Sequence, residues 1–148
     1  MYEYQFTCPE PSGDVVRTVR PLEQGGILRA YIRMRDSLTS RGRELPLELA
    51  LREFSRLDKL YWTVDDVGLL IASEAGDVHI FFWDKRLRGR EGLCKSMAEV
   101  VLNTLGREYI WTTIPETERA VIAFAKRVGF VEEGLTNRGV RLVYRRQR

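Results

Sequence analysis

The stretch from Val78 to Phe130 constrains the fold more than any other part of this chain. It reads as strand, basic glycine-bearing loop, helix, strand and helix, and closes on Val128-Gly129-Phe130. The run Val78-His79-Ile80-Phe81-Phe82-Trp83 has the bulky, β-branched and aromatic content of a strand. Leu93, Met97, Val101 and Leu105 recur every four residues, which places them on one face of a helix. Between the two lies Arg86-Leu87-Arg88-Gly89-Arg90-Glu91-Gly92. A strand that ends in such a turn at a helix N-terminus offers backbone N–H groups and the positive end of the helix dipole, a seat for an anionic phosphate. A glycine after a strand is also an ordinary turn residue, so the loop gains meaning only from the order of elements around it.

The rest of the chain supplies that order. Tyr2, Tyr4 and Phe6 alternate with polar residues at the strand period, and Pro9 to Asp14 is a turn cluster before a second short strand over Val15 to Arg20. Ile27, Leu28, Tyr31, Met34 and Leu38 are spaced for one helical face. Pro46 suits the first turn of a further helix that carries Leu47, Leu51, Phe54 and Leu57 and ends near Tyr61. Residues 61–64 and 69–72 form a hairpin across Asp65-Asp66-Val67-Gly68. The strand at 78–84 follows, then the helix over 90–105, a strand over 109–113, a helix from about 116 to 128, and strands at 131–133 and 140–145. With the two N-terminal strands merged, the order is β, α, α, β, β, β, α, β, α, β, β. It predicts one α+β domain over residues 1–148, a mixed, mostly antiparallel sheet with helices on both faces.

Composition narrows the function classes. Hydrophobic residues make up 44% and charged residues 30%, the balance of a globular domain. No apolar run is long enough to span a membrane, and the N-terminus has no signal-peptide character. Cys8 and Cys94 fit neither a metal spacing nor a disulfide framework, so the expectation is a cytoplasmic, reducing location with no metal site. Cys94 falls in the first turns of a predicted helix, where a thiolate is favoured, although a small buried apolar residue is the plainer reading. The net charge is only +3, and exposed aromatic and basic residues are not expected to interleave outside the loop, which argues against nucleic acid as a partner, although the locally basic tail Arg141 to Arg148 could touch it. The basic end, Arg141 to Arg148, reads as a strand followed by a solvated tail.

The loop and the helix that ends at Gly129 resemble the GNAT family of N-acetyltransferases. The acetyl-CoA loop of that family has the form Gln/Arg-x-x-Gly-x-Gly/Ala, and Arg88-Gly89-Arg90 stands where Arg-Gly-x is common. Val128-Gly129-Phe130 matches the hydrophobic-Gly-Phe end of the family's next helix. The specific resemblance covers about a third of the chain. It implies the acyl-CoA N-acyltransferase (GNAT) fold, with acetyl-CoA as co-substrate in a gap between strands 78–84 and 109–114. It implies acetyl transfer to a primary amine of an acceptor walled by the helices at 22–40 and 46–60, and it admits a homodimer. The backbone of Phe82, Trp83 and Asp84 would pair with the pantetheine arm. Arg86, Arg88, Gly89, Arg90, Glu91, Gly92 and Leu93 would hold the pyrophosphate. Asp77 and His79 share a strand face with Phe81 and Trp83 and are the candidate bases, since a carboxylate near the start of this strand serves in part of the family. Histidine has an ordinary pKa suited to proton transfer near neutrality. Glu74 and Asp84 are further candidates.

Three positions depart from the family pattern. Glu91 stands where a second glycine is common, and its carboxylate would crowd and repel a pyrophosphate unless it points outward. Ala125 stands where many members carry a tyrosine, the general acid for the leaving thiolate. Glu118 replaces a frequent asparagine. The resemblance therefore leaves two readings open, an N-acetyltransferase and a non-catalytic binding or structural module on the same fold. Degenerate motifs of this kind are common among phage-encoded members of the family.

Overall fold

The computed structural model describes residues 3–10, 13–40, 42–54, 56, 58–64, 67–83 and 89–147. Their elements run β1 (Tyr4–Glu10), β2 (Gly13–Pro21), α1 (Gln24–Ser40), α2 (Leu47–Phe54), β3 (Lys59–Val64), β4 (Gly68–Ser73), β5 (Val78–Phe82), α3 (Glu91–Leu105), β6 (Tyr109–Ile114), α4 (Arg119–Val128), β7 (Val131–Thr136) and β8 (Gly139–Arg145). This is the order the hydrophobic pattern predicts, with β1 and β2 as a hairpin in place of the merged first strand.

The strands form two sheets. β1 to β5 pair antiparallel with their chain neighbours, and β6, β8 and β7 form a second antiparallel sheet in that spatial order. Among the described residues, one parallel bridge, between Asp77 and Trp111, joins them. Alternation along the strands splits the side chains between two helical layers. Trp62, Val64, Leu70, Ala72, Val78 and Phe82 share one core with Leu93, Met97 and Val101 of α3 and with Phe124, Ala125 and Val128 of α4. Leu93, Met97 and Val101 are fully buried, and each contributes about 1.5–3 kcal/mol of apolar transfer, which fixes α3 firmly against the sheet. On the opposite face, the Tyr61 hydroxyl donates to the Glu53 carbonyl at 2.6 Å, and the Phe54 and Tyr61 rings meet edge to face at 5.6 Å. Helices thus cover both faces.

Element ends differ from the sequence pattern where a ladder or turn outcompetes the helix. The second helix stops at Phe54 rather than near Tyr61, because Lys59, Leu60 and Tyr61 pair with Ser73, Ala72 and Ile71. The fourth helix begins at Arg119 rather than near 116, because Glu118 N–H closes a turn on the Pro115 carbonyl at 2.9 Å and Glu118 itself has non-helical dihedrals. β5 ends at Phe82, two residues before the expected limit of 84. Gly129, at φ 125°, ends α4, and a Cβ there would stand 3.1 Å from the Tyr144 ring. The glycine before Phe130 is therefore required both by its backbone and by the core beneath it. No helix among the described residues is long and apolar enough to cross a membrane.

Candidate functional site

β5 and β6 start together and part. Trp111 N–H donates to the Gly76 carbonyl at 2.8 Å, beside the Asp77–Trp111 bridge, and among the described residues no further pairing joins these strands. Beyond that point the fork opens onto a cavity of about 470 Å³. Val78 to Phe82 form one wall, Thr112 to Pro115 the other, and Phe124, Ala125 and Val128 of α4 the floor. Its lining is chiefly apolar, the usual character of a small-molecule site. The Phe82 and Phe124 rings meet edge to face at 6.4 Å, so strand and helix are tied across it.

The ladder decides which backbone groups of β5 look into the fork. Trp83 N–H donates to the Val67 carbonyl at 2.9 Å, and Ser73 N–H to the Asp77 carbonyl at 2.9 Å. In an antiparallel pair the bonding direction alternates, so residues 77, 79, 81 and 83 turn their backbone groups toward β4. Those of Val78, Ile80 and Phe82 turn toward β6. Phe82 thus presents its backbone to the fork, while Trp83 directs its N–H to the hairpin with β4.

The side chains of Asp77 and His79 lie on the face opposite the α3 core, as strand alternation predicts. His79 Nε2 stands 3.2 Å from Asp77 Oδ1. The contact has ion-pair distance but poor hydrogen-bond alignment, for the buried Oδ1 has no hydrogen-bond partner. His79 is half exposed and lines the cavity; Asp77 sits at the apex of the fork. Phe81 and Trp83 share this face, ring centroids 5.9 Å apart.

α3 begins beside the cavity, whose lining includes its first-turn residue Cys94. Gly89 takes φ 79°, Arg90 is the N-cap residue without a side-chain cap, and Cys94 N–H donates to the Arg90 carbonyl at 3.0 Å. The first N–H groups of α3 have no intrahelical acceptor, which makes this end an anion seat. The Arg90 guanidinium is not a solvated loop cation. Arg90 is only 7% exposed and lies 5.6 Å from the centroid of the Phe82 ring. The Leu93 side chain is fully buried in the core, so only its backbone belongs to the loop, and the Gly92 carbonyl accepts the Ser96 hydroxyl at 3.0 Å. Asp84, Arg86 and Arg88 lie outside the described residues.

Glu91 turns its side chain across the helix end to α4, where Arg127 Nε donates to Oε1 at 3.1 Å. The carboxyl is held below its ordinary pKa first by its own backbone N–H, then by Arg127 and by the N–H of Gly89, against a smaller upward pull from burial than these together exert. Cys94 is buried and also lines the cavity, as do Thr112, Thr113 and Val121, which sequence reasoning did not single out. The alternation of β6 predicts that its residues divide between faces, but only the fork shows which of them border open space. Ala125 and Glu118 both line the cavity.

Comparisons with known proteins bear on the fold. No family model matches the chain, and no curated protein matches it in sequence. Solved structures do match. The GNAT domain of S. lividans PAT superposes with a TM-score of 0.72 at 14% identity over 95% of this chain and 96% of that one. A domain from Methanocaldococcus jannaschii gives 0.66 at 15% identity over 87% and 97%. The spermidine N-acetyltransferase of Vibrio cholerae, in complex with CoA and spermine, gives 0.63 at 16% identity over 87% and 95%. The chain has the GNAT acetyltransferase fold.

Proposed function

We propose that this protein binds acetyl-CoA in the β5–β6 fork and transfers its acetyl group to a primary amine. The observation that carries the reading is the fork itself, an apolar cavity that opens where the strands stop pairing and whose lining includes Cys94 in the first turn of α3. The Vibrio cholerae neighbour was crystallised with CoA, which supports the same ligand class here.

The residues fit such a ligand in most respects. Past the Asp77–Trp111 bridge, the backbone of Ile80 and Phe82 faces the gap and is oriented to meet an amide-bearing arm in the manner of an added strand. The N–H groups at Glu91, Gly92 and Leu93 offer hydrogen bonds to a pyrophosphate, with Arg90 at the helix end; Arg86 and Arg88, outside the described residues, precede it in sequence. Bound there, the thioester supplies the acetyl group and leaves as a free thiol. Asp77 and His79 take the proton from the attacking amine, the imidazole acting with the carboxylate 3.2 Å away. Ala125 has no proton to give, so the leaving thiolate takes one from water.

A second reading is favoured by two observations. Glu91 already presents a carboxylate at the helix end, and Ala125 leaves the cavity without an acid. On that reading the fold holds acyl-CoA without turning it over. Calorimetric titration with acetyl-CoA, followed by a screen of amine acceptors for free-thiol release, separates the two. Binding with thiol release supports the enzyme, and binding without it supports the module. No binding at millimolar acetyl-CoA removes both.

A further inference from the structure

The seat for the phosphate is partly filled by the protein's own anion. Glu91 is the first residue of α3, and its carboxylate turns across the helix end toward α4. It lies beside the backbone N–H groups of Glu91 and Gly89, which hold its pKa down and which a pyrophosphate at this turn would use. It also pairs with Arg127, 36 positions later in the chain, at 3.1 Å. Arg127 sits in the last turn of α4, 5.8 Å from the centroid of the Phe124 ring, and Phe124 lines the cavity. The ion pair thus ties the two helices that flank the fork.

We propose that Glu91 and Arg127 form a latch over the N-terminus of α3 that the pyrophosphate of acyl-CoA must displace, and that the released Arg127 then pairs with the phosphate. This inference rests on the acyl-CoA reading above. A carboxylate and a phosphate cannot share one pair of N–H donors, and their like charges repel at that distance. The latch opens readily because it lies near the surface, with Glu91 31% and Arg127 52% exposed, where an ion pair is weak. What lowers affinity is chiefly the negative charge that must move aside. The guanidinium it frees is planar and forked, and so suits a phosphate oxygen pair.

The test is the dissociation constant for CoA, measured by calorimetry on the full-length wild type, Glu91→Gln and Glu91→Gly, each checked by thermal melting. The latch predicts at least tenfold tighter binding in both variants, because each removes the competing charge. It also predicts that Arg127→Ala, made in the Glu91→Gln background, weakens binding again by threefold or more. If Glu91 merely stabilises the helix end, Glu91→Gln lowers the melting temperature and leaves the dissociation constant unchanged, and that result overturns the latch alone. Tighter binding in Glu91→Gln with no further effect of Arg127→Ala overturns the part assigned to Arg127. If neither wild type nor variants bind CoA at millimolar concentration while folded, the acyl-CoA reading falls and the latch with it.

Discussion

The Gly76 carbonyl accepts the Trp111 N–H at 2.8 Å, and this bond marks the apex of the fork between β5 and β6. Gly76 takes φ 99°, and a Cβ placed on it would lie 2.9 Å from Arg107 Nε. Arg107 in turn donates to the Glu74 carbonyl at 3.2 Å and lies over the Tyr109 ring at 5.5 Å. Gly76→Ala should therefore strain the turn and dislodge Arg107, lowering the unfolding free energy by about 1–3 kcal/mol in urea titration. A variant as stable as the wild type would mean that the apex does not depend on this backbone conformation.

Tyr144 is the buried polar anchor between β8 and α3. Its hydroxyl donates to Glu99 Oε1 at 2.8 Å. Tyr144→Phe leaves that carboxylate without its buried donor and should cost about 1.5–3 kcal/mol. Chemical denaturation of the single variant measures it, and a loss below about 0.5 kcal/mol would assign Glu99 to solvent.

Alkaline pH should destabilise the protein through two tyrosines. Burial, ahead of the Glu99 carboxylate, pushes the Tyr144 phenol well above its ordinary value, and burial, ahead of Glu53, does the same for Tyr61. Above about pH 10 the unfolded chain releases these protons while the folded chain keeps them. The unfolded state then binds fewer protons, so the slope of unfolding free energy against pH is negative. Stability present in full below pH 10 is lost as pH rises from there toward the folded-state values. Each phenol contributes a slope of up to about 1.4 kcal/mol per pH unit. Denaturation at pH 9, 10 and 11 should show a shallower decline in the Tyr61→Phe, Tyr144→Phe double variant. Parallel declines in the two proteins would place the alkaline loss elsewhere.

The element order from β5 to α4 was legible because each piece carries a local signal: bulky residues in β5, a four-residue apolar repeat in α3, and a glycine before Phe130 at the end of α4. What the sequence does not display is non-local. Trp111 meets Gly76 across 35 residues, and Arg127 meets Glu91 across 36, through placement of whole elements. Arg90 reads as one of three loop cations, yet it is packed on Phe82. Tertiary context turned a charge into a part of the wall, as the long apolar stem of arginine allows. Trp83 sits in the run that reads as the cofactor-pairing strand, but its N–H belongs to the β4 hairpin, a matter of ladder phase that composition does not encode.

Ala125 borders the cavity, and on the acetyltransferase reading proposed above it stands in place of a general acid. Ala125→Tyr should raise acetyl transfer by about tenfold to a hundredfold, the usual worth of one proton donor, with little change in acetyl-CoA affinity. The new ring enters a site that also packs against Phe124 and Val128, so overpacking of about 1–3 kcal/mol is expected in the melt. A folded variant with unchanged turnover would show that water already supplies the proton without limiting the rate.

Asp77 and His79 provide the test of catalysis itself. They lie 3.2 Å apart on the outer face of β5, with Asp77 at the apex and His79 at the cavity wall. A base at this place must reach the acceptor nitrogen directly or through one water. His79→Ala and Asp77→Asn should each lower kcat by about a hundredfold while the dissociation constant for acetyl-CoA stays within about twofold, because neither side chain reaches the α3 end of the cavity where the phosphates are assigned. Asp77→Asn also tests the pair, since an amide next to His79 keeps the shape and removes the charge. If both variants retain wild-type turnover, the proton leaves by another route and these two residues only shape the fork.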